Sequence, residues 1–236
     1  AYDTGGRRTS MCTRVDGDVV DATVFEYDLK DRIVTKTDPS GYVLAYAYDP
    51  VGNRASMEVS NVLAVAYAYD GRGRLMEING NGRSTQFGYD VAGQRTNAVW
   101  PNGTSANYAY DDAGQLLSLV HLGDSAPLAS FDYEYDLSGN RTNMITLEGT
   151  NSYAYDAHNW LTFAAYPDGN SETFSYDPVG NRTSLVQSVL GGPVITTEYG
   201  YGPVNRLLSS ASAVETNAYT FDDAGRLASQ TINGQS

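Results

Sequence analysis

An aromatic residue, a small residue, a second aromatic residue and an aspartate follow one another repeatedly along this chain. Tyr46–Asp49 and Tyr67–Asp70 are two clear copies. Alternation with a period of two sends both rings to one face of a β-strand, whereas a helix would set them about 200° apart. Tyr and Phe also favour strands. Each copy therefore predicts a strand with a one-sided aromatic face, and no long stretch has the 3.6-residue period of a helix.

The aspartate that closes this motif, which we call the anchor, sets the period of a tandem repeat. Successive anchors lie 20 to 25 residues apart, and Gly202 replaces the aspartate in one unit. The anchor positions are 3, 28, 49, 70, 90, 111, 136, 156, 177, 202 and 222. Aromatic residues stand one and three positions before each anchor that has residues so far upstream. These repeat aromatics include Tyr46, Tyr48, Tyr67, Tyr69, Tyr108, Tyr110, Tyr133, Tyr135, Tyr153 and Tyr155.

A tight turn is predicted directly after each anchor. Aspartate accepts hydrogen bonds from the amides of such a turn, and a glycine three residues later supplies the left-handed residue of a three-residue hairpin with a bulge. Three units have Asp31, Asn159 or Asn205 instead of this glycine, and Asn and Asp tolerate positive φ best. The predicted structural turn pairs are Asp49 with Gly52, Asp70 with Gly73, Asp90 with Gly93, Asp111 with Gly114, Asp136 with Gly139, Asp177 with Gly180 and Asp222 with Gly225.

A second turn closes many units, and three of these turns share a Pro-x-Gly form: Pro39–Gly41, Pro101–Gly103 and Pro167–Gly169. Each unit then holds two strands and two turns, so the chain predicts roughly twenty-two antiparallel strands of ordinary length. The predicted fold class is all-β, with tandem β-hairpins in a long antiparallel strip. Because strands twist, such a strip is expected to coil into a hollow shell or tube. The hydrophobic content of 41% allows a core beneath the aromatic face.

Charge and composition exclude several classes of partner. The formal net charge of −13 repels phosphate backbones and anionic lipid, so we expect neither nucleic-acid binding nor membrane insertion. No apolar stretch approaches the ~20 residues of a membrane helix. The one cysteine, Cys12, excludes an internal disulfide. We expect Cys12 to be buried or partly buried, with intermolecular pairing as the alternative.

Candidate chemical sites are few. His121 and His158 lie in different units without ligand-spaced neighbours. Calcium needs six to eight oxygens at one point, whereas the anchors are spread one to a unit, so turn capping is favoured over calcium binding. The sequence indicates no catalytic residue, no cofactor and no metal site. The arginines that follow many turns are expected to pair with acidic neighbours or to stack on tyrosine rings.

The motif resembles that of the Rhs family, also called YD-repeat proteins, whose signature Tyr-x-Tyr-Asp-x-x-Gly is followed by Asn or Arg. Tyr46–Arg54, Tyr133–Arg141 and Phe174–Arg182 match it closely, and the resemblance covers residues 1–236 as a single array. The family includes bacterial polymorphic toxins, the cocoon-forming component of insecticidal toxin complexes, bacterial wall-associated proteins and teneurins. The resemblance implies a β-strip that spirals into a hollow shell, a secreted or cell-surface location in bacteria and, in toxin members, an enclosed C-terminal effector.

The family's C-terminal core segment, which carries its self-cleaving aspartates, is not visible here, so no catalytic residue is carried over. The chain opens inside a unit, at Tyr2 and Asp3, and is therefore expected to be a segment of a longer polypeptide. A structural wall of a shell, cocoon or tube-like filament is the first functional hypothesis. Its expected partners are further repeats of the same or identical chains and an enclosed effector. The alternative is a cell-surface adhesion module that binds a glycan or a protein.

Overall fold

The structure is a computed structural model that describes residues 1–16, 18–60, 62–124 and 126–234. Two compact units form, one from Ala1–Tyr108 with His121–Ala126 and the other from Ala109–Val120 with Pro127–Ser236. Within the described ranges, a short 3₁₀ turn at Pro203–Asn205 is the one regular element that is not a β-strand. No helix there has the length and apolar character that crossing a membrane would require. The predicted all-β class is confirmed.

Twenty-one strands are present in the described ranges, close to the number that the repeat predicts. Nine lie wholly in the first unit: β1 (Ser10–Val15), β2 (Asp18–Tyr27), β3 (Ile33–Thr37), β4 (Val43–Tyr48), β5 (Arg54–Val59), β6 (Leu63–Tyr69), β7 (Leu75–Gly80), β8 (Arg83–Tyr89) and β9 (Arg95–Val99). Three have residues in both units: β10 (Ser105–Tyr110), β11 (Leu116–Gly123) and β12 (Ala126–Tyr135). Nine lie in the second unit: β13 (Arg141–Thr146), β14 (Gly149–Tyr155), β15 (Leu161–Ala165), β16 (Ser171–Tyr176), β17 (Arg182–Ser188), β18 (Val194–Tyr201), β19 (Leu207–Ala211), β20 (Glu215–Phe221) and β21 (Leu227–Gly234).

Each of the two compact units is an antiparallel meander, in which a strand pairs with the next strand along the chain. In the first unit this pairing runs without interruption from β1 to β10. In the second unit it runs from β12 to β21. An isolated bridge between Tyr2 and Arg8 encloses the first anchor, Asp3. Every anchor therefore sits at the tip of a hairpin or of a bridged pair.

The anchor turns have the predicted three-residue hairpin geometry. The Asp49 N–H donates to the Asn53 carbonyl at 2.8 Å, and the Gly52 N–H donates back to the Asp49 carbonyl at 3.1 Å. The residue three positions after the anchor has positive φ in all eleven units: Gly6, Asp31, Gly52, Gly73, Gly93, Gly114, Gly139, Asn159, Gly180, Asn205 and Gly225. The left-handed position expected from the sequence is thus present in each unit.

A second irregularity, a β-bulge, follows the anchor turn. Ala47 pairs with Ser56 but Tyr48 pairs with Arg54, which leaves Ala55 as an extra residue. The same register shift recurs in eight other anchor hairpins of the described chain. Because side chains alternate along a strand, an inserted residue lets positions three apart share one face. The bulge therefore keeps the residue after the turn on the same face as the tyrosines.

The hydrophobic core that the composition allows is very small in the described residues. Their buried apolar side chains are three alanines, Ala98, Ala106 and Ala164. The repeat tyrosines are only half-buried. Within each compact unit, the extensive contacts join strands that are consecutive in the chain. Without a second layer packed on the aromatic face, the rings are covered only by their neighbours along the sheet.

Cys12 also departs from expectation, because it is exposed. The prediction rested on the average behaviour of cysteine, which is usually buried. Cys12 lies in β1, where its backbone pairs with Ala22, but no second layer covers the side chain.

Two glycines in neighbouring anchor turns test the left-handed requirement. We expect Gly52→Ala to lower the free energy of unfolding by about 1–2 kcal/mol, because alanine must then adopt a φ of 107°. An added Cβ would meet only the Arg32 side chain, at an ordinary 3.7 Å, so the backbone is the source of the loss. Gly71→Ala is the matched control, since this position has open space and no positive φ. Urea unfolding of both variants is the measurement, and equal losses would contradict the turn geometry.

Candidate functional site along the anchor turns

The anchor carboxylate caps its own turn. Asp136 Oδ1 accepts hydrogen bonds from the backbone N–H groups of Ser138 and Asn140, both at 2.9 Å. Asp70 Oδ1 accepts from Arg72 and Arg74 at 2.8 and 3.0 Å. The same two-amide pattern occurs at Asp3, Asp28, Asp111, Asp156 and Asp177. The aspartate therefore satisfies amides that the turn leaves unpaired.

The unit with Gly202 shows what happens without the carboxylate. The Gly202 N–H still donates to the Arg206 carbonyl at 2.8 Å. The turn itself is different, because Val204 and Asn205 both have a φ of 59° and lie in the 3₁₀ turn. A β-branched valine rarely adopts positive φ. A carboxylate at the anchor position is not required for the regular turn, because the turns that begin at Trp100 and Tyr166 have the same pair of backbone bonds without one.

The second carboxylate oxygen of the anchor holds the side chain four residues later, which we call the link residue. Arg74 Nε donates to Asp70 Oδ2 at 2.6 Å, and Asn53 Nδ2 donates to Asp49 Oδ2 at 2.9 Å. Equivalent bonds join Arg7 to Asp3, Arg32 to Asp28, Asn140 to Asp136, Asn181 to Asp177 and Arg226 to Asp222. The link residue is thus fixed in direction by its own turn.

The link residue also contacts the next unit. Arg74 Nη1 donates to the Asp90 carbonyl at 3.0 Å, and its guanidinium lies 4.7 Å from the centre of the Tyr89 ring. The guanidinium groups of Arg7, Arg32 and Arg206 lie over the rings of Tyr27, Tyr48 and Phe221 in the same way. One side chain therefore joins an anchor, the following turn and the following ring.

In three units the left-handed residue three positions after the anchor is not glycine, and each of these residues accepts a hydrogen bond from the preceding link residue. Elsewhere the link side chain lies against a glycine, and a Cβ on Gly139 would come within 3.0 Å of Gln115 Nε2. The three bonds are Arg7 Nη1 to Asp31 Oδ1 at 2.7 Å, Asn140 Nδ2 to Asn159 Oδ1 at 2.8 Å and Asn181 Nδ2 to Asn205 Oδ1 at 3.2 Å. Sequence reasoning accounted for these residues by their backbone preference alone and missed their partners.

The tyrosine directly before the anchor makes a second link between units. Its hydroxyl donates to the carbonyl of the residue five positions after the preceding anchor, as when Tyr69 donates to Arg54 at 3.0 Å. The same bond is made by Tyr27, Tyr48, Tyr89, Tyr135, Tyr155 and Tyr176. Partial burial raises the pKa of Tyr69, Tyr135, Tyr155 and Tyr176. Each of these hydroxyls is therefore a neutral donor at physiological pH.

Hydrogen bonding holds several anchors in the charged form. The Arg32 side chain and then the Arg32 amide lower the pKa of Asp28 from an ordinary 3.8 to about 2. The Asn140 side chain and amide lower the pKa of Asp136, and the Asn181 side chain lowers that of Asp177. Turn amides and link side chains thus act on the carboxylate together.

The anchors, link residues and tyrosine hydroxyls bond to protein partners within and between repeat units. The structure places the predicted turn residues at hairpin tips and the predicted aromatics on the strands that lead into them. Both oxygens of a typical anchor carboxylate are occupied by protein donors. No group of three or more metal-ligating side chains occurs in the described ranges. His121 stacks on Trp100 at 6.4 Å and His158 on Trp160 at 4.8 Å between ring centres.

The sequence profile of the teneurin YD-shell family matches residues 1–188. The chain belongs to the teneurin YD-shell family. The match includes nine of the eleven anchors, from Asp3 to Asp177. No curated protein is similar in sequence to this YD-shell chain.

Solved structures share the fold of this YD-shell chain. A crystal structure titled TcdB2-TccC3-Cdc42 matches with a TM-score of 0.57 and 16% identity, covering 100% of this chain and 14% of that chain. A TcdB2-TccC3 structure without its hypervariable C-terminal region matches with a TM-score of 0.56 and 16% identity, covering 96% of this chain and 14% of that chain. At such identity the likeness concerns the fold, and the YD-shell chain spans a small part of these proteins.

The tyrosine bond between units can be tested within one strand. We expect Tyr69→Phe to lower the free energy of unfolding by about 1 kcal/mol, because the Arg54 carbonyl loses its donor. Tyr67→Phe is the matched control in β6, since the Tyr67 hydroxyl has no protein partner among the described residues. Chemical denaturation of both variants is the measurement. A Tyr67→Phe loss as large as that of Tyr69→Phe would show that the bond is not the cause.

Lowering the pH is expected to lower the folding stability of the repeat units, because it protonates their anchor carboxylates. A carboxyl whose pKa is lowered by folding contributes stability above its unfolded pKa, and that contribution is lost as pH falls through the folded pKa. For Asp28 the loss spans pH 3.8 to about 2. We expect Asp28→Asn to flatten the fall in the urea midpoint between pH 5 and about 2. Asp112→Asn is the control, because Asp112 makes no side-chain hydrogen bond in the described structure. An unchanged profile in Asp28→Asn would contradict the capping role.

Proposed function

We propose that the chain is a structural wall segment of a large secreted or cell-surface protein, of the shell-forming kind. The observation that carries this proposal is that neighbouring repeat units within each compact unit are joined by strand pairing and, at many positions, by link residues and tyrosine hydroxyls, without an enclosed core. A sheet stabilised in this way can be lengthened unit by unit. A protein wall must extend over a long distance, and a sheet of this kind can do so without a thick hydrophobic core.

Family and fold support this role. The chain is a YD-shell member over residues 1–188, and its fold matches TcdB2-TccC3 structures. Residues beyond the family match keep the same hairpin plan in β18 to β21, with a capped turn at Asp222. We therefore regard residues 1–236 as a single YD-repeat array of eleven units. The array is part of a longer wall in this proposal.

The two faces of the strands suit a wall that water contacts. On one face the half-buried rings are covered by arginines, as where Arg54 lies 5.0 Å from the Tyr46 ring centre and Arg95 lies 4.8 Å from that of Phe87. On the other face, small residues such as Ala47 and Ala68 are exposed.

The proposed partners follow from this role. Further repeats of the same chain or of identical chains would continue the sheet by strand pairing, and a shell of such repeats would enclose an effector. We assign the chain no catalytic step and no cofactor. The family and fold comparisons favour the wall over an adhesion module.

Electron cryo-microscopy of the natural polypeptide that carries this segment tests the wall. We expect a hollow particle with residues 1–236 in its wall, and protease resistance of any segment enclosed within it. A solid globule, or a straight fibre with no interior, would overturn the proposal. Circular dichroism and urea unfolding of the 236-residue chain serve as the control, since they report whether the repeat folds regardless of what it encloses.

A further inference from the structure

The turn between β7 and β8 contains a chemically reactive pair of residues, Asn81 and Gly82. These two residues join the strands, and Gly80 pairs with Arg83 on either side of them. The φ angle is 51° at Asn81 and 76° at Gly82, so both are left-handed, as a type I′ turn requires. Asn and Gly adopt this geometry at the least cost. The same pair can form a cyclic imide, because glycine has no side chain to hinder attack by its amide nitrogen on the asparagine side chain.

The Asn-Gly pair at Asn102 is protected by its turn. The chain has four Asn-Gly pairs, which begin at Asn79, Asn81, Asn102 and Asn233, so the sequence alone does not distinguish them. The Gly103 N–H donates to the Trp100 carbonyl at 3.1 Å. Asn102 Oδ1 accepts from the Thr104 N–H at 3.1 Å and from the Thr104 hydroxyl at 2.8 Å. Both the attacking nitrogen and the side chain that it would attack are therefore held in place.

The pairs at Asn79 and Asn233 are protected by their strands. Gly80 pairs with Val65 in β6 and with Arg83 in β8. Gly234 pairs with Glu215 in β20. In a strand the backbone N–H lies in the plane of the sheet, whereas the preceding side chain points out of that plane. The sheet therefore keeps the glycine nitrogen away from the asparagine side chain.

Asn81 and Gly82 have neither kind of protection. The Gly82 N–H has no acceptor in the part of the chain that the structure describes. Open space surrounds Gly82, since a Cβ built there would meet nothing within 4 Å. Asn81 is exposed, and its Oδ1 accepts one long hydrogen bond, from the Ala64 N–H at 3.4 Å. The nitrogen and the side chain are thus free to meet, and water can reach both.

We propose that Asn81 is a site of spontaneous deamidation and that it reacts before the other three Asn-Gly pairs. The Gly82 nitrogen forms a bond to Asn81 Cγ while the Cγ–Nδ2 bond breaks. The amide proton passes through water to Nδ2, which leaves as ammonia. Water then opens the cyclic imide at one of its two carbonyls and gives aspartate or isoaspartate. This modification site does not depend on the wall role.

Both products are expected to disturb the turn. In isoaspartate the backbone runs through the side-chain carbon, so the turn gains one backbone atom. A two-residue type I′ turn has a fixed geometry, and the Gly80–Arg83 pair should then no longer close. Aspartate instead adds a carboxylate to a cavity of about 240 Å³ that Asn81 and Glu58 both line. The hairpin of β7 and β8 is therefore the part of the chain where ageing should first appear.

Peptide mapping by mass spectrometry tests the order of reaction. The folded chain is kept at neutral pH, and the conversion of each Asn-Gly pair is followed with time. We expect Asn81 to react at least about tenfold faster than Asn102, because the hydrogen bonds at Asn102 must open first. The chain in urea is the reference, since its two rates should converge once structure is lost. Equal rates in the folded chain, or the same rate ratio in urea, would overturn the proposal.

A variant at the protected turn supplies the converse result. Thr104→Val removes the hydroxyl bond to Asn102 Oδ1 and should raise the deamidation rate of Asn102 by up to about fivefold. The rate at Asn81 should stay the same. Thr173→Val is the matched control, because Thr173 is exposed and makes no side-chain hydrogen bond among the described residues. An Asn102 rate that does not respond to Thr104→Val would show that these hydrogen bonds are not the protection.

Trypsin tests the effect on the hairpin. After ageing, the fraction of the chain that contains isoaspartate at position 81 should be cut after Arg83 several-fold faster than fresh chain. Asn81→Gly is the control, because Gly-Gly also suits a type I′ turn and has no side chain to deamidate. Its cleavage should not change with age. Equal cleavage of aged and fresh chain, despite measured isoaspartate, would contradict the opening of the turn.

Discussion

The anchor carboxylate is the group through which the rest of each unit is organised. One oxygen receives the amides of the turn and, in many units, the other receives the link residue, so a single side chain fixes a backbone reversal and aims a second side chain. The link residue then contacts the next turn and the next ring. In the unit with Gly202, which has no anchor carboxylate, the turn is a 3₁₀ turn with Val204 at positive φ. Local geometry and contact between units therefore have one origin.

Stability in this molecule is distributed rather than central. The buried apolar side chains in the described ranges are alanines, and the aromatic rings remain half-exposed. Each contact between units is modest by itself, since partly exposed ion pairs, cation–π contacts and single hydrogen bonds contribute about 1 kcal/mol or less each. Their number grows with the number of units. Such a sheet is expected to behave as other linear repeats do, with stability that accumulates along the chain.

The sequence was sufficient where the chemistry is local. A period of two with paired aromatics predicts the strands, and Asp, Gly and Asn at fixed offsets predict the turns. The sequence did not predict contacts that depend on which residue of a neighbouring repeat unit lies opposite. The bond from Asn140 to Asn159 and the tyrosine bonds to carbonyls have no signal within one unit. Burial of Cys12 was overestimated because the average burial of cysteine assumes a second layer.

The pairing of link residues with left-handed residues limits how such a protein can be rearranged. A segment cut from one anchor to the next separates the two partners of such a contact, because the donor Asn140 follows the anchor Asp136 and the acceptor Asn159 follows the next anchor, Asp156. Duplication or recombination at those boundaries would leave an asparagine in left-handed geometry without its donor. Cutting within the second turns keeps each anchor with its own link residue but still separates that residue from the turn it reaches. The smallest segment that keeps one such contact intact is therefore a pair of adjacent hairpins.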